Sequence, residues 1–123
     1  MPKIIEKNDE KRRHPRLAVN LRVEGLWTNP LGVERPFKAL LVKVSESGAL
    51  LRCGEPITVN SIAEFVLKVD PSISFRPQGR VRWWRRNGEV RDIGLEFDPP
   101  IPAIGRFIKA QLGRTGRKIT NRG

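Results

Sequence analysis

The chain has 123 residues, with 24 Lys and Arg against 13 Asp and Glu, a formal net charge of +11 and a pI near 11.1. That length bounds it to one domain with a single modest core, and the charge favours a polyanionic partner: nucleic acid, a nucleotide or an anionic membrane surface. A lone cysteine, Cys53, excludes an internal disulfide and a Cys-based metal cage; no apolar run approaches the roughly 18 residues of a membrane-spanning helix, and the N-terminus lacks a signal-type apolar region, so a cytoplasmic protein without membrane insertion is expected.

In chain order, residues 1–16 are mostly charged and aperiodic, and read as a flexible basic arm. Within it, "KRRHPR" gathers Arg12, Arg13 and Arg16 where a strand begins, either a solvated arm or an anion site. From Leu17 the pattern turns to period two: Leu17, Val19, Leu21 and Val23 on one face, Arg22 and Glu24 on the other, a half-buried strand. "TNPLG" is a turn. "PFKALLVKVS" is a second strand, broken at Ser47-Gly48, and "ALLRC" a third. After the loop "GEPITVNS", "IAEFVLKV" is a fourth strand ended by Asp70-Pro71. "QGRVRWWRR" and "EVRDIGLEF" are the fifth and sixth, joined at the hairpin signal Asn87-Gly88. Short strands between Gly/Pro turns argue for a small antiparallel barrel or sandwich. Ile101, Ile104, Ile108 and Leu112 then recur at helical spacing, with Pro102 in the first turn and Gly113 at the end, so one helix follows the sheet. The domain therefore spans residues 17–113, and 114–123 is a basic tail expected to be disordered.

Three features carry chemistry or its absence. Cys53 in an apolar run and His14 in a charged arm read as a buried strand thiol and an arm histidine rather than a catalytic pair. No carboxylate pair, nucleophile–base motif or metal cluster stands out, so no enzyme is expected. On the fifth strand, Arg80, Arg82, Trp84 and Arg86 share one face and Val81, Trp83 and Arg85 the other. That face either stacks bases and holds phosphates, or covers apolar surface with Arg stems beside one core tryptophan. The second reading is preferred.

Two stretches read together. Arg12-x-x-x-Arg16 lies on the arm, and Ser45-x-x-Gly48 lies in "VKVSESGALL" between two expected strands. The pairing resembles the PilZ domain, a bacterial receptor module for cyclic di-GMP, whose pattern is R-x-x-x-R followed by [D/N]-x-S-x-x-G. "GRVRWWRRNGEVRDIGLEF" resembles the late hairpin of that family, and the likeness covers residues 11–112. The resemblance implies an all-β fold: a six-stranded antiparallel barrel with one C-terminal helix. It also implies cyclic di-GMP as ligand, no cofactor, and signalling to an effector protein through an arm that orders on binding. Carried onto this sequence, the ligand-binding residues are Arg12, Arg13, Arg16, Lys43, Ser45 and Gly48. An Arg fork matches phosphate and the guanine O6/N7 edge; Ser45 offers one hydroxyl; Gly48 offers a tight turn at a φ closed to other residues. Lys43 stands where the family has Asp or Asn, and lysine has donors only. Two alternatives stay open: a degenerate PilZ-like adaptor that binds no nucleotide, and a basic barrel that binds nucleic acid.

Overall fold

The computed structural model describes residues 15–114 and 119–120. Among the described residues ten elements follow one another: β1 (Arg16–Thr28), β2 (Glu34–Ser45), β3 (Gly48–Cys53), β4 (Ile62–Phe65), β5 (Leu67–Asp70), β6 (Ile73–Phe75), β7 (Gln78–Asn87), β8 (Val90–Glu96), α1 (Pro102–Arg114) and β9 (Ile119–Thr120). Six strands close an antiparallel barrel in the order β1-β2-β3-β8-β7-β4, with β4 returning to β1. This is the fold expected from the sequence, a six-stranded barrel followed by one helix.

The alternation of β1 is realised as read, with Leu17, Val19, Leu21 and Val23 all buried. The β1–β2 hairpin turns where Asn29 Oδ1 accepts hydrogen bonds from the N–H groups of Leu31 and Val33, both at 2.9 Å, the local side-chain turn that asparagine favours. Leu41, Leu51, Ile57, Val81 and Ile93 are wholly inaccessible at the barrel centre. Helix α1 adds Ile104 and Ile108 to the same core, each burial stabilising by roughly 1.5–3 kcal/mol.

Some local expectations give way. The expected fourth strand divides at Val66, whose N–H donates to Glu24 O, and β5 pairs with β6 as a separate hairpin. Arg16 belongs to β1 rather than to the arm, and α1 runs one residue past Gly113. Within the segment read as a disordered tail, Ile119 and Thr120 pair in parallel with Val19 and Asn20. Most of the arm, with Arg12, Arg13 and His14, lies outside the described residues, as does the rest of the tail.

Among the register shifts, two β-bulges shape the site. In β2, Leu41 pairs with Leu51 but Lys43 with Leu50, so Val42 is an extra residue. In β7, Val81 pairs with Leu95 but Trp83 with Gly94, so Arg82 is extra. Each bulge reverses the phase of its strand. Strict alternation from Leu41 would send Lys43 into the barrel, and strict alternation from Val81 would send Trp83 there. Both instead face outward, in one cross-sheet row formed by Lys43, Leu50, Gly94 and Trp83. Neither tryptophan of the doublet is a core residue: Trp83 is 44% and Trp84 38% exposed. The expectation of one core tryptophan is therefore corrected, and the inserted Arg82 is what turns Trp83 outward.

Candidate functional site

The β2–β3 turn is built by its own serine. Ser45 Oγ accepts hydrogen bonds from the N–H groups of Ser47 and Gly48, both at 3.1 Å, and Ser45 is only 4% exposed. The turn is tied to the C-terminal part of the chain, because Ser47 O accepts from Phe97 N and Glu46 O from Ile101 N, both at 2.8 Å. Gly48 does not have a positive φ; among the described glycines only Gly32 and Gly88 do. The expectation that Gly48 supplies a special φ is thus replaced by a closer constraint: a Cβ at Gly48 would collide with the carbonyl oxygen of Leu95 on β8. Glycine here lets two backbones approach.

Beside this turn lies a cavity of about 240 Å³ on the outer face of the barrel. Arg16, Lys43, Ser45 and Gly48 all line it, so the structure gathers every described member of the expected site. Arg16 enters because it pairs with Ser45 across β1 and β2; Lys43 enters through the Val42 bulge. Among the lining residues that were not expected, three carry a charge or an aromatic ring: Arg82, Trp83 and Glu96. Arg82 Nε lies 2.9 Å from Glu96 Oε1, and both side chains are about half exposed. The Trp83 indole lies across Gly94, where a Cβ would occupy the same space. The one sequence signal for Trp83 is the doublet itself: two adjacent strand residues cannot both face the core.

A charged network centred on Asp92 lies next to Trp83. Asp92 is 2% exposed; its carboxylate accepts from Arg52 Nε at 2.8 Å and from Asn87 Nδ2 at 3.2 Å, and lies 3.7 Å from Arg85 Nε. The Arg85 guanidinium in turn stands 5.7 Å from the Trp83 ring centroid. Burial alone would raise the Asp92 pKa. The hydrogen bonds from Arg52 and Asn87, with the charges of Arg52 and Arg85, outweigh that and hold it below the ordinary carboxylate value. Trp84 falls in the other row, opposite Ile93, where the Arg91 guanidinium stacks 3.8 Å from its ring centroid. Cys53 is buried, as expected of a strand thiol; its burial pushes the thiol pKa up, which keeps it protonated.

The cavity thus offers three cationic side chains, Arg16, Lys43 and Arg82, against one carboxylate, Glu96, beside an exposed indole. That set suits an anion carrying an aromatic group. Among the described residues no group of His, Cys, Asp and Glu is placed to hold a metal, and no helix is long and apolar enough to cross a membrane.

Among solved structures, the chain is similar to the Bacillus subtilis inhibitor of motility MotI/DgrA, at a TM-score of 0.60 and 14% identity, over 85% of this chain and 53% of that one. The chain therefore spans about half the length of that protein, and the likeness is one of fold. No curated protein matches the chain. The PilZ domain matches residues 10–113, which take in the barrel, the cavity and most of the helix. The chain belongs to the PilZ domain family.

Proposed function

We propose that this protein is a cyclic di-GMP receptor and adaptor, without catalytic activity, acting in the cytoplasm through an effector protein. The observation that carries the reading is the convergence of Arg16, Lys43, Arg82 and the exposed Trp83 on one cavity at the Ser45–Gly48 turn. Arg16 matches phosphate with its fork, Lys43 adds a point charge, Arg82 offers a fork to the ligand's phosphate or guanine edge, and Trp83 supplies a stacking surface for a base. Ser45 acts by holding the turn, since its hydroxyl already serves the Ser47 and Gly48 amides. The cavity of about 240 Å³ lies below the roughly 300–1,000 Å³ of ordinary small-molecule sites. Arg12 and Arg13, just before β1, are the groups proposed to complete it. Ligand phosphates neutralise these like charges and draw the arm onto the barrel, and the ordered arm is the surface an effector reads.

Lys43 favours a second reading, an adaptor that works by protein contact without nucleotide, because it removes the acceptor the family places there. Isothermal titration of the full chain with cyclic di-GMP separates the two. Saturable binding supports the receptor; absence of binding leaves the adaptor.

A further inference from the structure

The cavity has cationic donors in excess, and Lys43 at the motif position offers no carboxylate or amide oxygen to accept from guanine's N1–H and N2–H₂ groups. Glu96 is the only carboxylate that lines it among the described residues. It lies two residues beyond Gly94 on the same face of β8, hence about 7 Å along the strand from the point where the Trp83 indole crosses. Its register partners are Gly48 on β3 and Arg80 on β7, so it stands level with the Ser45–Gly48 turn. Its side chain is 47% exposed.

We infer that Glu96 is the residue that selects guanine in this protein, taking over from the opposite wall of the cavity the acceptor role that Lys43 cannot fill. The inference rests on the cyclic di-GMP reading and adds the basis of its selectivity. Guanine presents along one edge an acceptor, O6, followed by two donors, N1–H and N2–H₂. The Arg82–Glu96 pair, 2.9 Å apart, presents a donor followed by an acceptor in the matching order. The Glu96 carboxylate accepts from N1–H and N2–H₂ together while Arg82 meets O6. Adenine reverses this edge: its N6–H₂ is a donor, its N1 an acceptor, and it has no group at position 2. The base rests against Trp83, which gives contact to either purine and so contributes affinity without choice. Selection for N1–H and the 2-amino group falls to Glu96, with Arg82 reading O6 beside it.

The test is a set of titrations at one salt concentration, using the full chain and its Glu96→Ala and Glu96→Gln variants, with cyclic di-GMP, cyclic di-IMP and cyclic di-AMP. Cyclic di-IMP keeps O6 and N1–H and lacks only the 2-amino group. The wild type should prefer cyclic di-GMP over cyclic di-IMP by about tenfold and over cyclic di-AMP by roughly ten- to a hundredfold. Glu96→Ala should bind cyclic di-GMP and cyclic di-IMP within a factor of about two, with only the part of the discrimination against cyclic di-AMP that Arg82 makes at O6 remaining, and Glu96→Gln, with one acceptor oxygen in place of two, should fall between. The ratios matter rather than the affinities, because removing Glu96 also frees Arg82 and strengthens every anion alike. A Glu96→Ala variant that binds all three more tightly with the wild-type ratios would show that Glu96 only occupies Arg82, and would overturn the inference while leaving the receptor reading intact. A wild type that binds none of the three overturns both. The half-exposed position keeps either variant folded, which an unchanged melting temperature verifies.

Discussion

Trp83 lies across the α-carbon of Gly94, its partner on the neighbouring strand, and leaves no room there for a methyl group. The contact depends on the Arg82 bulge, which turns Trp83 outward, and on the absence of a Cβ at Gly94, which lets the indole lie down on the sheet. Gly94→Ala should therefore lift Trp83 off β8. Overpacking of this kind costs about 1–3 kcal/mol, and the displaced indole no longer forms the cavity wall. Thermal unfolding should show a lowered midpoint, and cyclic di-GMP titration a weakened affinity. A midpoint equal to that of the wild type would mean that the contact relaxes without cost.

Gly48 and Gly54 offer a matched comparison. A Cβ at Gly48 meets the Leu95 carbonyl, which is backbone and cannot swing away, whereas a Cβ at Gly54 has no neighbour within 4 Å and needs no positive φ. Gly48→Ala should push β3 from β8 and lose about 1–3 kcal/mol. Gly54→Ala should be neutral, or stabilising by about 0.4–1 kcal/mol through the unfolded chain. Denaturant unfolding of the two variants side by side checks this, and equal midpoints would contradict it.

Asp92 gives a pH dependence with a defined sign. Its folded pKa is depressed, so the unfolded state binds its proton more tightly. The stabilisation is present above the unfolded value of about 3.9 and is lost as pH falls through the folded pKa. Asp92→Asn should destabilise at neutral pH by about 1 kcal/mol, since solvent screens partners as exposed as Arg52 and Arg85. The gap between variant and wild type should close below about pH 4. Urea midpoints measured across that range test the closure; a constant gap would place the effect in packing rather than charge.

The barrel was legible in the sequence because Leu17, Val19, Leu21 and Val23 keep strict period two and Asn87-Gly88 marks a hairpin. The helix was legible because Ile104 and Ile108 keep a helical period. What alternation could not show was where it fails. A bulge leaves no mark in composition, and Val42 and Arg82 each reverse a strand. For that reason Trp83 read as a core residue, and Arg82 and Glu96 did not read as neighbours of Ser45. Gly48 was marked by its motif, but its reason, the Leu95 backbone on a strand nearly fifty residues away, is a tertiary contact that no local pattern encodes.

Arg16 and Ser45 face each other across β1 and β2, and their roles separate under mutation. Arg16→Ala should leave the melting midpoint nearly unchanged and weaken cyclic di-GMP about ten- to a hundredfold, the worth of one charge-assisted contact. Ser45→Ala should do the opposite in kind, destabilising the fold by about 1–3 kcal/mol because the Ser47 and Gly48 amides lose their acceptor. If Arg16→Ala unfolds the barrel and Ser45→Ala does not, the two assignments are reversed.

The central claim is that the cavity beside the Ser45–Gly48 turn binds cyclic di-GMP, and isothermal titration of the wild type beside Trp83→Ala and Arg16→Ala tests it most directly. Binding to the wild type should be saturable, with a clear loss in each variant, about 1–3 kcal/mol for a lost stacking surface at Trp83. Binding that both variants retain at full strength would place the ligand elsewhere on the protein, and a wild type that produces no binding heat and no shift in melting temperature with cyclic di-GMP would contradict the receptor reading altogether.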